Sequence, residues 1–480
     1  MRRSTRFRIA GATATIALLG SVGAGPVAAT PSTGPVAAQP SSYVLDFVAT
    51  AATAVDMNDA GDVIGTSRLD PGCGSTCLPP EDTVVWRGGR RIVLQNPTPS
   101  VTPIILADIN DQGWITGTVG LPGTTTHAVV WKPNGTAYTA IDLGNIPGKT
   151  ISTVAGIDDQ NRVVGWSTNP CIGCGGTPFM WTEAAGMVDL TTLGFPADQP
   201  IGISPGGSVA TCGFWYRLDV PGSATAMPAP PSGFGPGCGG VAINDAGDQA
   251  RFLTIVSGGQ ILDYPFRFHH AGTWQQISFI PTGHLSSAGI GSINDNADIT
   301  LSVQGAGMIA YGPDGLAQSL SALVSPSYSG SVLTKSGPMN ASGQILAEMI
   351  IGQSGRRIVR LVPGTPCTSG CTRVTAIEMQ GKGPAFCNAG GSAQASAKLT
   401  LTDESGALLP GVRVTAHFFD DYWLDHVVTG KTSSLGQVTL KHTGPPCIGA
   451  IAILVTAAAK RDRTFDKTTG VLTDHVIPLP

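Results

Sequence analysis

The chain has 480 residues, and its composition limits the classes of function open to it. Only 12% of the residues are charged and the formal net charge is −4, so neither a basic stripe nor a nucleic-acid partner is expected. The 64 Gly and 36 Pro residues, together with the lack of long charged helical patterns, indicate many turns and few helices. The composition therefore predicts an all-β protein.

The N-terminus predicts secretion. Four arginines among the first eight residues precede an apolar or small stretch at 9–25, and Ala29 ends a small-x-small cleavage site. Gly and Thr dilute the apolar stretch, which disfavours the alternative of a membrane anchor. We expect a signal peptide at 1–29, with Ala38 as the alternative cleavage point, and a linker at 30–41. The mature chain is then secreted, without stable membrane insertion.

One short pattern occurs seven times along the chain: a hydrophobic residue followed by Asn-Asp-x-Gly or a worn version of it. Successive copies are 40 to 52 residues apart, 47 on average. Asn, Asp and Gly tolerate the backbone conformations of a tight turn, so each copy predicts a hairpin turn between apolar strands. A period of this length is typical of repeat architectures such as propellers. The copies begin at Met57, Ile109, Ile157, Ile203, Ile243, Ile293 and Met339.

The second repeat shows how one unit is built. Its sequence predicts short strands at 105–109, 114–119, 128–131 and 138–143, separated by polar turns. Four antiparallel strands per repeat is the plan of a propeller blade, and one such sheet cannot bury its apolar faces alone. We therefore predict a seven-bladed β-propeller over residues 42–365.

The ends of the repeat array predict how it closes. The last repeat supplies only three strands, whereas an extra strand at 43–47 precedes the first copy. We expect this N-terminal strand to complete the seventh blade. The alternative architecture is an open β-solenoid, which would leave the strand unpaired at an edge.

The sequence of the repeats resembles that of the HAF family of extracellular repeat proteins. The best local matches are residues 157–167 with 179–181 and residues 109–117 with 129–131, and the resemblance covers residues 42–362. It implies a repeat fold and an extracellular location. It implies no particular reaction.

Residues 366–480 form a second predicted unit. The sequence at 401–414 and 432–440 resembles that of bacterial immunoglobulin-like domains. About 110 residues with about seven short alternating strands suit a small β-sandwich. The resemblance implies a spacer or an adhesive module.

Ten cysteines, an even number, fit an oxidising destination, and we predict that all ten form disulfides. Two closely spaced pairs lie in equivalent loops of the first and third repeats. A short bridge within each loop is expected, and a zinc site built from both pairs is the alternative. These pairs are Cys73 with Cys77 and Cys171 with Cys174. The other six are Cys212 and Cys238 around a Pro/Gly-rich stretch, Cys367 and Cys371 at the junction, and Cys387 and Cys447 in the C-terminal module.

No pattern predicts a catalytic residue, a cofactor site or a metal site. Several carboxylates occupy one position of the repeated turn, which is typical of turn formers rather than catalysts. They are Asp59, Asp111, Asp159 and Asp245. Nucleophile-elbow, zinc-protease and phosphate-binding motifs are missing from the sequence.

Aromatic residues supply the ligand-binding candidates. Trp86, Trp131 and Trp181 recur at one repeat position and are expected in the core. Exposed aromatic rings that break the repeat pattern can stack on sugars or contact a protein partner. The residues that break it are Trp166, Trp215 and Tyr216.

These observations predict a secreted, non-enzymatic binding or surface-interaction protein, expected to be a monomer, whose propeller loops bind a glycan or a surface protein. The alternative is a carbohydrate-active hydrolase or lyase with its site in the central funnel, where two carboxylates about 5–10 Å apart would favour a glycosidase. A purely structural role in a surface layer is also compatible with the sequence. Repeats four and six, where Ser204-Pro205 and Asn296-Ala297 depart from the turn pattern, are the first places expected to hold a ligand.

Overall fold

The described residues fold into antiparallel sheets apart from one short parallel pairing near the C-terminus, and the helices among them are limited to three short turns. The computed structural model describes residues 40, 42–50, 52–68, 81–97, 104–121, 125–170, 175–235, 238, 241–257, 260–277, 288–303, 305–310, 312, 317–352, 356–383, 392–419, 425–444 and 450–478. The signal peptide predicted at 1–29 lies outside these residues, as do six of the ten cysteines. The short helices are Leu190–Leu193, Leu320–Leu323 and Pro326–Tyr328.

Six four-stranded sheets within the described ranges have their strands hydrogen-bonded in chain order. The first three consist of β2 (Ala52–Met57), β3 (Val63–Arg68), β4 (Glu81–Arg87) and β5 (Arg90–Val93); β6 (Ile104–Ile109), β7 (Ile115–Leu121), β8 (Thr125–Asn134) and β9 (Ala137–Gly144); and β10 (Ile151–Ile157), β11 (Val163–Thr168), β12 (Thr177–Thr182) and β13 (Gly186–Asp189). The next three consist of β14 (Pro200–Ile203), β15 (Ser208–Thr211), β16 (Phe214–Arg217) and β17 (Thr225–Ala226); β18 (Ala242–Ile243), β19 (Gln249–Ser257), β20 (Gln260–His269) and β21 (Thr273–Gln276); and β22 (Ala288–Ile293), β23 (Ile299–Val303), β24 (Ala306–Ala310) and β25 (Ala317–Ser319).

The sheet of the last repeat joins the two ends of the array. Strands β26 (Ser331–Met339), β27 (Ile345–Ile351) and β28 (Arg357–Pro363) come from the last repeat, and β1 (Tyr43–Thr50) supplies the fourth strand. Strand β1 pairs antiparallel with β28, with Leu45 opposite Leu361. This is the pairing that the sequence predicts for the N-terminal strand.

The first strands of successive sheets lie side by side around a ring. Strands β2, β6, β10, β14, β18, β22 and β26 neighbour one another in that order, and β26 lies beside β2. Apolar residues fill the space between adjacent sheets; Ile64 of the first sheet, for example, packs with Ile115 and Trp131 of the second. A ring of four-stranded antiparallel sheets is a propeller-type arrangement.

The repeated turn has the same construction in every copy. Turn positions are counted here from the Asn of Asn-Asp-x-Gly, so Asn58 is first and Gly61 is fourth. The fourth residue donates its backbone N–H to the carbonyl of the first, as in Gly61 to Asn58 at 2.9 Å, and it has a positive φ in all seven copies. The first residue also accepts the backbone N–H of the fifth through its side chain, at 2.8–3.0 Å. Glycine adopts positive φ without penalty, but Asn161 and Ala297 adopt it too, each at 61°.

The C-terminal residues form two further four-stranded sheets. One has the order β33-β30-β29-β35 and the other β32-β31-β34-β36. The strands are β29 (Cys371–Lys382), β30 (Ala393–Thr402), β31 (Arg413–Phe419), β32 (Asp425–Lys431), β33 (Gln437–Gly444), β34 (Ile451–Ala459), β35 (Thr464–Phe465) and β36 (Thr473–Val476). We call these strands the C-terminal module.

The C-terminal module packs tightly against the last sheet of the ring. One hydrophobic cluster contains Leu361 of the ring together with Phe419 and Leu472 of the module. Hydrogen bonds also cross the junction, among them Thr473 Oγ1 to the Ser329 carbonyl at 2.8 Å. Residues 38–480 accordingly form one compact unit.

Candidate functional site

The repeated Asn-Asp turns bind to one another around the ring. Asn58 donates its side-chain amide to the backbone carbonyl of Asn110 at 3.1 Å, and the backbone N–H of Asp59 donates to the carboxylate of Asp111 at 2.9 Å. The same two bonds join the second and third copies and the fifth and sixth. These side chains therefore hold neighbouring sheets together, a role beyond the turn formation expected from sequence.

The ring of hydrogen bonds closes between the last copy and the first. Asn340 donates to the carbonyl of Asn58 at 3.3 Å, and the backbone N–H of Ala341 donates to the Asp59 carboxylate at 2.7 Å. At the worn fourth copy, Pro205 lacks a carboxylate, and its backbone carbonyl accepts the Asp159 N–H at 2.9 Å instead. Pro205 also has no N–H, and Gly206 donates to the Asp245 carboxylate of the fifth copy at 2.6 Å in its place. The departure from the pattern at repeat four thus keeps both links while changing the acceptor of one and the donor of the other.

Sequence reasoning missed a pair of carboxyl groups, Asp56 and Asp108, on the first strands of adjacent repeats. The two side chains are hydrogen-bonded to each other. Asp56 also accepts the backbone N–H of Ile109 at 3.1 Å, and Asp108 accepts that of Ile157 at 2.9 Å. The signal was present two residues before each turn, where the other repeats carry Gly156, Gly202, Ala242, Ser292 and Pro338.

The contact requires a proton between the two carboxyl groups, because two adjacent carboxylates repel. Burial raises the pKa of Asp108 well above its ordinary value, and the neighbouring Asp56 charge raises it further. Burial also raises the pKa of Asp56.

Of the three aromatic residues predicted to bind a ligand, two lie over glycines and the third is buried. Trp166 lies over Gly176, and Trp215 lies over Gly247, where an added Cβ would come within 2.1 Å and 2.6 Å of the respective ring. Tyr216 is fully buried and packs on Phe195 with ring centroids 4.7 Å apart. Tyr216 therefore belongs to the core, and ligand binding by Trp166, Trp215 and Tyr216 stays a prediction.

The three repeat-equivalent tryptophans also differ from one another. Trp131 and Trp181 are buried, at 0% and 6% exposure, as the sequence predicts. Trp86 is only half-buried: part of it packs on the cluster containing Met57 and Ile358, and part of it lines a cavity. The prediction that Trp86 lies in the core is therefore only partly correct, because the C-terminal module leaves a space beside the first sheet.

We call this cavity the junction cleft. Its volume is about 810 Å³, within the range of about 300–1,000 Å³ typical of small-molecule sites. Trp86 lines it from the first sheet, Phe47 from the closing strand β1, and His426 and Thr456 from the C-terminal module. The cleft thus forms only where these distant segments meet.

Charged side chains on the ring side of the junction cleft occur as pairs. Arg360 donates to the Asp46 carboxylate and, at 3.0 Å, to the carbonyl of Gly61. Arg91 lies 2.5 Å from the Asp82 carboxylate. These pairs hold the guanidinium groups in place and leave this wall polar but close to neutral.

The module side of the cleft carries a third pair. His417 Nδ1 lies 2.8 Å from the Asp425 carboxylate, and the His417 ring contacts Phe47 with centroids 4.5 Å apart. Phe47 also contacts Phe419 at 5.3 Å, so this side of the cleft is supported by aromatic packing across the junction. A carboxylate-held imidazole between aromatic rings is a well-positioned hydrogen-bonding group.

Two of the predicted disulfides are present in the described part of the chain. Cys212 is bonded to Cys238, and Cys367 to Cys371. The remaining six cysteines lie outside the described residues, as does the alternative zinc site. They are Cys73, Cys77, Cys171, Cys174, Cys387 and Cys447.

Among the described residues, no group of three or more His, Cys, Asp and Glu side chains is arranged to hold a metal ion. None of the helices in those same ranges has the length and apolar character needed to cross a bilayer.

No protein-family model matches the chain, and no curated protein matches it. Among solved structures it resembles a gluconolactonase-like protein, with 11% identity, coverage of 67% of this chain and 92% of that one, and a TM-score of 0.33. A protein of unknown function from Dyadobacter fermentans gives 11% identity, coverage of 67% and 98%, and a TM-score of 0.33. TolB from Acinetobacter baumannii gives 13% identity, coverage of 67% and 62%, and a TM-score of 0.29. Similarity at this level carries no argument about function, and the HAF resemblance stays a prediction.

Proposed function

We infer that this chain is a secreted, non-enzymatic binding protein whose ligand occupies the junction cleft. Its architecture in this proposal is a seven-bladed, HAF-like β-propeller followed by an immunoglobulin-like β-sandwich. The observation that carries the proposal is the junction cleft itself, a cavity of about 810 Å³ with a half-buried indole and fixed polar groups on its walls. In this proposal the ring and the C-terminal module together form the binding face, whereas the sequence predicts a binding face of propeller loops alone.

The carboxyl pair gives the hydrolase alternative weak support. Glycosidases place their two carboxyl groups about 5–10 Å apart, with the substrate between them. Asp56 and Asp108 are in direct hydrogen-bond contact and also brace neighbouring strands through backbone N–H groups. A bracing role for the pair accounts for all of these contacts.

A ligand panel tests the proposed function. The purified full chain and the variant Trp86→Ala are heated with monosaccharides, oligosaccharides, nucleotides, amino acids and short peptides, and the unfolding temperature is recorded. We expect one ligand class to stabilise the wild type and to lose most of that effect in the variant, because a ligand that binds only the folded state raises the unfolding temperature. Stabilisation that is the same in both proteins would place the ligand elsewhere and contradict the proposal. Release of new reducing ends from a polysaccharide, lost in Asp108→Asn, would favour the hydrolase instead.

A further inference from the structure

We propose that the ligand of the junction cleft is a neutral oligosaccharide, held between the ring and the C-terminal module. The inference rests on the proposed binding function and specifies its ligand class. The cleft offers one aromatic surface, several fixed hydrogen-bonding groups and balanced charge, and each of these properties restricts the ligand in a different way.

The aromatic surface is the exposed part of Trp86. The rest of its side chain packs on the cluster containing Met57 and Val63, so the ring is held in one orientation. Gly88 and Gly89, which also line the cleft, are exposed, and an added Cβ at either would meet no atom within 4 Å, so this rim of the cleft is unobstructed. A fixed, accessible indole matches the apolar C–H face of a sugar ring.

The hydrogen-bonding groups are the Arg–Asp pairs around that indole. Arg91 is held by Asp82 and by Ser67 Oγ at 3.3 Å, and Arg360 is held by Asp46. A guanidinium presents donors in a fixed fork, and a carboxylate presents acceptors. Adjacent sugar hydroxyls, each both donor and acceptor, can satisfy both kinds of group at once.

Charge balance disfavours the main competing ligands. The described lining contains three arginines and three aspartates, so an anionic nucleotide would meet guanidinium groups already paired with carboxylates. A lipid would cover these polar groups with apolar chains and remove the hydrogen bonds that they make to water. A neutral, hydroxyl-rich ligand avoids both penalties.

The C-terminal module forms the other wall of the junction cleft. Thr456 and His426 line the cleft from that side. The module is fixed to the ring by contacts such as Phe47 with Phe419, so the two walls keep a set spacing. Binding therefore depends on both walls.

Titration calorimetry of the full chain with short neutral oligosaccharides tests this inference, with oligo-uronates as the anionic comparison. We expect Trp86→Ala to weaken neutral-sugar binding by about tenfold or more, because both the aromatic contact and its buried apolar area are lost. Trp86→Phe, which keeps a ring, should lose less. Thr456→Lys should block the cleft from the module side, whereas Thr429→Lys on the exposed face of β32 should bind like the wild type.

The outcomes separate the ligand class from the binding function. Binding of oligo-uronates or nucleotides in a Trp86-dependent manner, without neutral sugars, would overturn the sugar assignment and leave the binding function standing. Neutral-sugar binding that survives both Trp86→Ala and Thr456→Lys but is lost in Trp166→Ala would overturn the assignment of the site. Circular dichroism of each variant confirms that a loss of binding comes from the site and not from misfolding.

Discussion

Asp56 and Asp108 are hydrogen-bonded to each other across the joint between the first two sheets, where burial and the neighbouring Asp56 charge raise the pKa of Asp108 well above its ordinary value. Each also accepts a backbone N–H from the next first strand along the ring. Gly156 leaves room for this arrangement, because an added Cβ at that position would lie 2.6 Å from Asp108 Oδ2. The pair therefore works as a pH-sensitive brace in the ring.

We expect the stability of the protein to fall as the pH rises through the pKa values of this pair. Both folded-state pKa values are raised above the unfolded value, so the folded state binds the shared proton more tightly and is favoured at lower pH. In Asp108→Asn the side-chain amide donates to Asp56 without needing that proton. Urea unfolding at a series of pH values should show the wild type losing stability, relative to this variant, as the pH rises above the ordinary aspartate pKa of 3.8.

Ser292 offers a matched control for the Asp pair. Its hydroxyl accepts the backbone N–H of Met339 at 2.9 Å, the equivalent bond in a later repeat, and it does not titrate in this range. Ser292→Ala should lower stability by a similar amount at every pH. Parallel pH profiles for the wild type and Asp108→Asn would contradict the shared-proton interpretation.

Asn110→Ala should lower the free energy of unfolding by about 1–3 kcal/mol, because it leaves buried backbone groups without partners. Asn110 donates to the Asp158 carbonyl at 2.9 Å and accepts the Trp114 backbone N–H at 2.9 Å. Gln112→Ala, at the exposed middle of the same turn, should be close to neutral. Chemical denaturation measures both, and equal effects would argue against the role of Asn110 in joining the sheets.

Ala297→Gly should stabilise the protein by up to about 1 kcal/mol. Ala297 has φ of 61°, a left-handed conformation that costs an L-residue about 1–2 kcal/mol, and glycine avoids most of this cost. The comparison is Ala341→Gly, an exposed turn residue that is not among those with positive φ, where the substitution should be neutral or slightly destabilising. A lower unfolding temperature for Ala297→Gly would show that the methyl group contributes more through packing than it costs through strain.

His442 should make the protein sensitive to acid. Burial, together with the neighbouring His426, lowers the pKa of His442 to about 4. Because the folded pKa is lower than the unfolded value of about 6.5, stability is complete above that value and is lost as the pH falls toward 4. The full loss is on the order of 3 kcal/mol.

The variant His442→Phe keeps the stacking on Phe418, whose ring centroid lies 5.6 Å away, and removes the titration. Its unfolding free energy should stay flatter than that of the wild type between about pH 6.5 and pH 4. His475→Phe, at an exposed position of β36, should keep the wild-type slope. An unchanged slope in His442→Phe would assign the acid sensitivity to another group.

The amino-acid sequence by itself determined the repeat, the hairpin turns and the place of the N-terminal strand. These are local properties: Asn, Asp and Gly favour a tight turn wherever they occur together, and alternating apolar residues favour a strand. The worn copies show the limit of this reasoning, because Asn161 and Ala297 keep the positive φ of the glycine that they replace. Each still makes the turn hydrogen bond of the other copies, from Asn161 to Asp158 and from Ala297 to Asn294.

Only the tertiary structure decided where a ligand has room to bind. The junction cleft depends on Phe47, Trp86 and Thr456, which are far apart in sequence and meet because the C-terminal module packs against the closing sheet. Trp86 and Trp131 occupy the same repeat position, yet one lines a cavity and the other is fully buried. The proton-sharing contact of Asp56 with Asp108 likewise depends on two strands becoming neighbours in the ring. A periodic sequence pattern predicts the local structure of each segment. A cavity or a carboxyl–carboxyl contact depends on the distances between segments, and those distances are set only when the chain folds.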